Sequence, residues 1–207
     1  LRADINNNLV SDYVNAGIID VTDSNLISIN NAMKPVDTNN QNQAQIQQLV
    51  VSYNNILNYA ADSLTSFPPI ADDFSNIGVD DVTQDTQAIS LLNDVIALGD
   101  KSAVDTIAKL QALMTAVTSV LNLPEGQIDT LSKQQLELLG VEGVTDDNLL
   151  AIRQMITSDN QAMDKLRDIQ GIVDKVVASH KIQAYSANSS NNSIPTLDDY
   201  KTIGLTD

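Results

Sequence analysis

The sequence predicts an all-α chain of tandem three-helix bundles, each about 62 residues long and arranged end to end. Three observations carry that expectation. The stretch "DYVNAGIIDVT" at 12–22 returns as "DFSNIGVDDVT" at 73–83 and "QLELLGVEGVT" at 135–145, and begins again as "DYKTIGLTD" at 199–207. Its glycines, Gly17, Gly78, Gly140 and Gly204, are 61, 62 and 64 residues apart. Between them run apolar stripes at the spacing of helices rather than strands.

Within each copy a large apolar side chain stands four residues before the glycine: Tyr13, Phe74, Leu136 and Tyr200. Val21, Val82 and Val144 stand four residues after the first three glycines. The chain has five Tyr, two Phe and no Trp, so three aromatics sharing one position argue for anchors of small cores.

The first helix of each unit is short. Ser132 and Gln135 have capping-box spacing, Thr196 caps the last copy behind Pro195, and each glycine falls where a left-handed residue ends a helix. So short a helix must be held by packing, because its few hydrogen bonds do not recover the cost of nucleation. Thr22, Thr83 and Thr145 are expected to cap the second helix, with Asp23, Asp85 and Asp146 following at its positive end. Leu26, Ile29, Asn30 and Met33 then share a face, as do Leu149, Ile152 and Ile156. The middle unit carries about two extra residues here, so its "AISLLNDVI" aligns only after a shift.

The third helix has the strongest period: Ile46, Leu49, Val50, Tyr53, Ile56 and Leu57 in the first unit. Leu110, Leu113, Met114, Val117, Val120 and Leu121 form the second stripe, and Ile169, Ile172, Val173, Val176 and Val177 the third. "VDT" at 36–38 and 104–106 introduces this helix in the first two units. Breakers separate the units: "SFPPI" at 66–70, with Phe67 and Ile70 expected to bury against both neighbours, "LPEGQ" at 123–127 and "SANSSNNSIP" at 186–195. The resulting organisation is the end of a preceding unit or linker (1–8), repeat 1 (9–67), repeat 2 (68–130), repeat 3 (131–193) and the start of a fourth (194–207). With Leu1 at its head and a fourth copy broken off, the chain is expected to be a piece of a longer protein.

Composition excludes several functions. With 27 acidic and 11 basic residues the net charge is −16, which repels phosphate backbones, so no nucleic-acid partner is expected. The absence of cysteine excludes disulfides and thiolate chemistry, and no apolar run reaches the roughly 20 residues that span a bilayer. No nucleotide-loop motif, catalytic triad or metal-spaced His/Glu pair is present, so no enzyme and no catalytic or cofactor-binding residue is expected. The one histidine, His180, aligns with Leu57 and reads as a half-buried packing residue or a partner of the helix's C-terminal dipole.

One polar feature recurs: acids around each Val-Thr, namely Asp20 and Asp23, then Asp80, Asp81 and Asp85, then Glu142, Asp146 and Asp147. Calcium is the sharp reading. The alternating ligands and sharp glycine turn of a calcium loop are missing, so these acids are read as helix-end and surface charge. Asn188 and Asn191 lie in glycosylation triplets, read here as parts of a solvated linker.

"DYVNAGIIDVTDSNLISINNA" resembles the helical tandem repeats of very large secreted or surface-anchored bacterial adhesins, including biofilm-associated and RTX-type proteins. The resemblance implies an extracellular or cell-surface segment that spaces or presents other domains, with neighbouring repeats of the same chain as its partners. More weakly, "GIIDVTDSNLISINNAM" is similar to part of the three-helix albumin-binding modules of bacterial surface proteins, which implies a host or matrix protein as partner.

Overall fold

The computed structural model describes residues 8–33, 42–82, 85–123, 128–159 and 163–205. Among them the secondary structure is entirely helical. In chain order the helices are α1 (Val10–Asn15), α2 (Leu26–Met33), α3 (Gln43–Ala61), α4 (Ala71–Asn76) and α5 (Thr86–Leu98). α6 (Ile107–Leu121), α7 (Lys133–Leu138), α8 (Leu149–Ser158), α9 (Leu166–Ala187) and α10 (Leu197–Thr202) follow, with single 3-10 turns at Lys101–Ala103 and Ile128–Thr130. The chain divides into two compact units, Leu1–Thr115 and Ala116–Asp207, the division falling inside α6.

Four helices, α1, α4, α7 and α10, are six residues long and begin and end alike. At each start the third helical residue accepts a hydrogen bond from the cap's backbone N–H: Asp12 from Leu9 (2.8 Å), Asp73 from Ile70 (3.0 Å), Gln135 from Ser132 (2.8 Å) and Asp199 from Thr196 (2.6 Å). Ser132 and Thr196 return the bond through their hydroxyls, completing the box. At each end the glycine is left-handed, with φ of 74°, 88°, 89° and 88° for Gly17, Gly78, Gly140 and Gly204. The residue after it donates to the carbonyl five positions back: Ile18 to Tyr13, Val79 to Phe74, Val141 to Leu136 and Leu205 to Tyr200, all within 2.9–3.1 Å. This is the Schellman closure, for which a residue without Cβ is favoured. Tyr13, Phe74 and Leu136 are fully buried.

The second helices begin later than expected. Thr22 and Thr145 open a hydrogen-bonded turn, and α2 and α8 proper start at Leu26 and Leu149. An asparagine three residues on closes each of these turns. Asn25 Oδ1 accepts from Thr22 N–H (2.7 Å) and Asn148 Oδ1 from Thr145 N–H (2.8 Å), while their amides donate to the carbonyls of Asp20 and Gly143. Thr83 lies outside the described residues, and α5 is capped instead by Asp85, which accepts from Gln87 N–H (2.9 Å).

In the first unit α3 packs against α2, α4, α5 and the Lys101–Ala103 turn. Its six stripe residues are all buried, and Tyr53 sends its hydroxyl to Val104 O (3.0 Å), with burial raising its pKa above the ordinary phenol value. In the second unit α9 packs against α8 and α10. Its stripe departs from expectation at Val177, which lies beside Gly143 and is 39% exposed, whereas Ala178 is buried. Leu121 is half-buried. Phe67 and Ile70 are 92% and 60% exposed, contrary to the expected burial at that joint. The apolar anchor of α4 is Phe74 alone of the three aromatic and aliphatic groups Phe67, Ile70 and Phe74. "VDT" at 36–38 and most of "LPEGQ" lie outside the described residues.

α10 is tied to α9 by Lys181 Nζ, 2.6 Å from Asp199 Oδ2. That contact, with the Thr196 N–H and hydroxyl, pulls the Asp199 carboxyl down to about 2. A depressed carboxylate contributes stability that is present above its unfolded value of 3.8 and is lost as pH falls through about 2. Amide exchange in 197–202 is therefore expected to accelerate between pH 4 and pH 2 relative to its intrinsic pH dependence, and Asp199→Asn is expected to abolish that pH dependence.

Candidate functional site

Among the described residues, those singled out by sequence gather at joints in the backbone. Past each of the first three glycines the chain runs across a long helix and is gripped there by a glutamine. Gln47 on α3 accepts from Ile19 N–H (2.8 Å) and donates to Ile19 O (3.3 Å). Gln111 on α6 does the same with Asp80 (2.7 and 3.3 Å), and Gln170 on α9 with Glu142 (2.9 and 3.1 Å). A side-chain amide thus pairs with one residue's backbone as a neighbouring strand would.

The next residue is left-handed in every case: Asp20 (φ 65°), Asp81 (φ 56°) and Gly143 (φ 80°). Aspartate tolerates that conformation better than most residues. Two acids of the recurring cluster therefore occupy the position that glycine holds in the third loop, which is a backbone reason for their presence. Val21 and Val144 then turn into the core, and Val82 is half-buried.

A second joint ties each second helix to the chain entering the short helix. Asn30 Nδ2 donates to Asn8 O (2.9 Å), Asn93 Nδ2 to Pro69 O (2.8 Å), and Arg153 Nε to Leu131 O (2.7 Å). The accepting residue immediately precedes the cap in all three. Tyr13 completes the first by donating to Asn30 Oδ1 (2.7 Å); Phe74 has no hydroxyl, and Asn93 Oδ1 is buried without a partner. Arg153 adds a bond to Asp129 (2.8 Å).

Glutamines 47, 111 and 170 and asparagines 25 and 148 escaped the sequence reading. The signals were a Thr-x-x-Asn spacing in two copies and a glutamine immediately after the first apolar stripe residue in all three long helices.

One concavity stands apart from the joints. In the second unit a groove of about 490 Å³ opens between α8, α9 and α10, lined among others by Met155, Lys175, Val176, His180 and Ile203. His180 is half-buried there with no acid or second histidine among the lining residues. Among the described residues no group of three His, Asp or Glu is gathered as a metal site, and no helix is long and apolar enough to cross a membrane. Millimolar calcium is expected to leave the melting temperature nearly unchanged. A saturable rise, abolished by Asp80→Asn with Asp81→Asn, is the contrary result. Compared with known protein families, curated proteins and solved structures, the chain matches none.

Proposed function

We propose that this chain is a non-enzymatic repeat segment of a large bacterial extracellular adhesin. Its tandem three-helix units of about 62 residues are arranged end to end as a stalk, spacer or interaction region in cell adhesion or biofilm formation. The observation that carries the proposal is the recurrence of one set of joints at one period. Schellman closure, glutamine grip and carbonyl latch return together in each of the three full copies. Units that share only the means of their own folding are suited to setting distance. The extracellular, bacterial context rests on the resemblance of residues 12–32 to adhesin repeats.

The alternative, host-protein binding in the manner of albumin-binding modules, calls for the same apolar patch in every copy. Ile27 is 79% exposed and Leu150, in the same place on α8, is 52% exposed. Aligning Asn93 with Asn30 puts Ser90 there in the middle copy. The broken patch favours the spacer. Small-angle scattering of the chain is expected to give a maximum dimension well above that of a compact sphere of 22.3 kDa. A globular profile rejects the stalk.

A further inference from the structure

The geometry points to the groove between α8, α9 and α10 as a docking surface for the second helix of a further unit of the same kind. The occupant is an amphipathic helix patterned like α5, with aliphatic residues at the spacing of Leu91, Leu92, Val95 and Ile96, followed by an apolar turn like that at Val104. The inference rests on the tandem-unit reading and says what such a unit would touch.

Corresponding residues make two surfaces, one in each unit. Thr22 and Thr145, and Gln47 and Gln170, are each 123 residues apart, so one offset relates α2–α3 to α8–α9. By that offset Met155 corresponds to Ala32, Val176 to Tyr53, Ser179 to Ile56, His180 to Leu57 and Gln183 to Ala60. Ile203 and Ile77 correspond as the residues preceding Gly204 and Gly78. All six first-unit residues are buried, whereas Met155, Ser179 and His180 are half-buried, Gln183 is exposed and Ile203 is 36% exposed.

In the first unit this surface is covered. α5 and the Lys101–Ala103 turn pack on α3, the Tyr53 hydroxyl reaches Val104 O, and Ile107 N–H donates to Asn31 Oδ1 (3.0 Å). Asn31 corresponds to Gln154, which also lines the groove and offers the same acceptor chemistry. The groove thus corresponds to a surface that α5 and the Lys101–Ala103 turn cover in the first unit. Charge agrees: α5 carries a single charged residue, Asp94, and the groove contributes Lys175. The more polar lining, Ser179, His180 and Gln183 for Ile56, Leu57 and Ala60, makes this a weaker and more readily opened contact than its counterpart in the first unit.

The test joins residues 82–123 of the same sequence directly after Asp207, the register in which Val82 follows Asp81. A synthetic peptide of residues 85–106 serves as the probe in trans. Docking is expected to slow amide exchange in 151–158 and 175–183 by about tenfold or more and to shift the His180 ring resonances. Met155→Asp in the extended chain is expected to remove both effects. Retention of the protection in Met155→Asp places the contact elsewhere and overturns the proposal. So does unchanged exchange in the extended chain together with an unmoved His180 resonance at about 1 mM peptide. Because scattering of the unextended chain tests the stalk by itself, a negative result here with an elongated profile there rejects the groove alone.

Discussion

Phe74→Ala is expected to destabilise the first unit by about 3–5 kcal/mol, whereas Phe74→Tyr is expected to stabilise it by about 1 kcal/mol. The loss follows from geometry. Phe74 is fully enclosed and is the anchor of a six-residue helix that cannot persist without packing, so truncation forfeits both the buried ring and the helix it holds. The gain follows from one unpaired atom. Asn93 latches Pro69 O through Nδ2 but leaves Oδ1 buried without a partner, the same atom that Tyr13 satisfies on Asn30. A hydroxyl on the ring of residue 74 supplies the missing donor. Urea unfolding of the two variants should move the midpoint in opposite directions; a destabilised Phe74→Tyr would show that the pocket has no room for the hydroxyl or that Asn93 is already satisfied.

The second large effect is at Arg153. Its guanidinium holds Leu131 O and Asp129 together, and the side chain is only 13% exposed. Arg153→Met keeps most of the apolar stem but leaves the Leu131 carbonyl without this donor, at a cost of about 2–3 kcal/mol to the second unit. Arg153→Lys should recover little of it, because a single ammonium cannot span two acceptors as the planar fork does. Thermal or urea unfolding followed through amide exchange of 133–156 reads this directly, and full rescue by lysine would mean that only the charge matters.

A sequence displays most plainly what a few neighbouring residues decide. The short helices, their capping boxes and their terminal glycines were legible because each is decided within a few residues by local backbone chemistry. The long stripes were legible because burial imposes a period, and they failed only at the last residue of two of them, Leu121 and Val177. The joints were not legible. Gln47, Gln111 and Gln170 look like ordinary solvent-facing helix residues, and their partners are 28 to 31 positions away. Asn30 and Asn93 give way to Arg153 in the third copy, yet all three present a donor to the corresponding carbonyl, the one just before the short helix's cap. Asp20 and Asp81 read as charge, although their left-handed backbone and the glycine at position 143 give them a conformational reason to be there. The acids suggested a metal only because composition is visible in a sequence and φ is not.

The glutamine grips also bear on the medium this chain can tolerate. At −16 the protein has few cations with which to tie its loops, and ion pairs at the surface weaken as ionic strength rises and counterions crowd the charges. A neutral amide holding a neutral peptide group is indifferent to that crowding. Each of the three loops is fastened by two such bonds, so their shape should be the same in dilute buffer as in brine, while the mutual repulsion of the acids relaxes as salt is added. Strong salt should therefore find the fastenings intact and the surface quieter, and the chain should gain stability where a protein fastened by ion pairs would lose it.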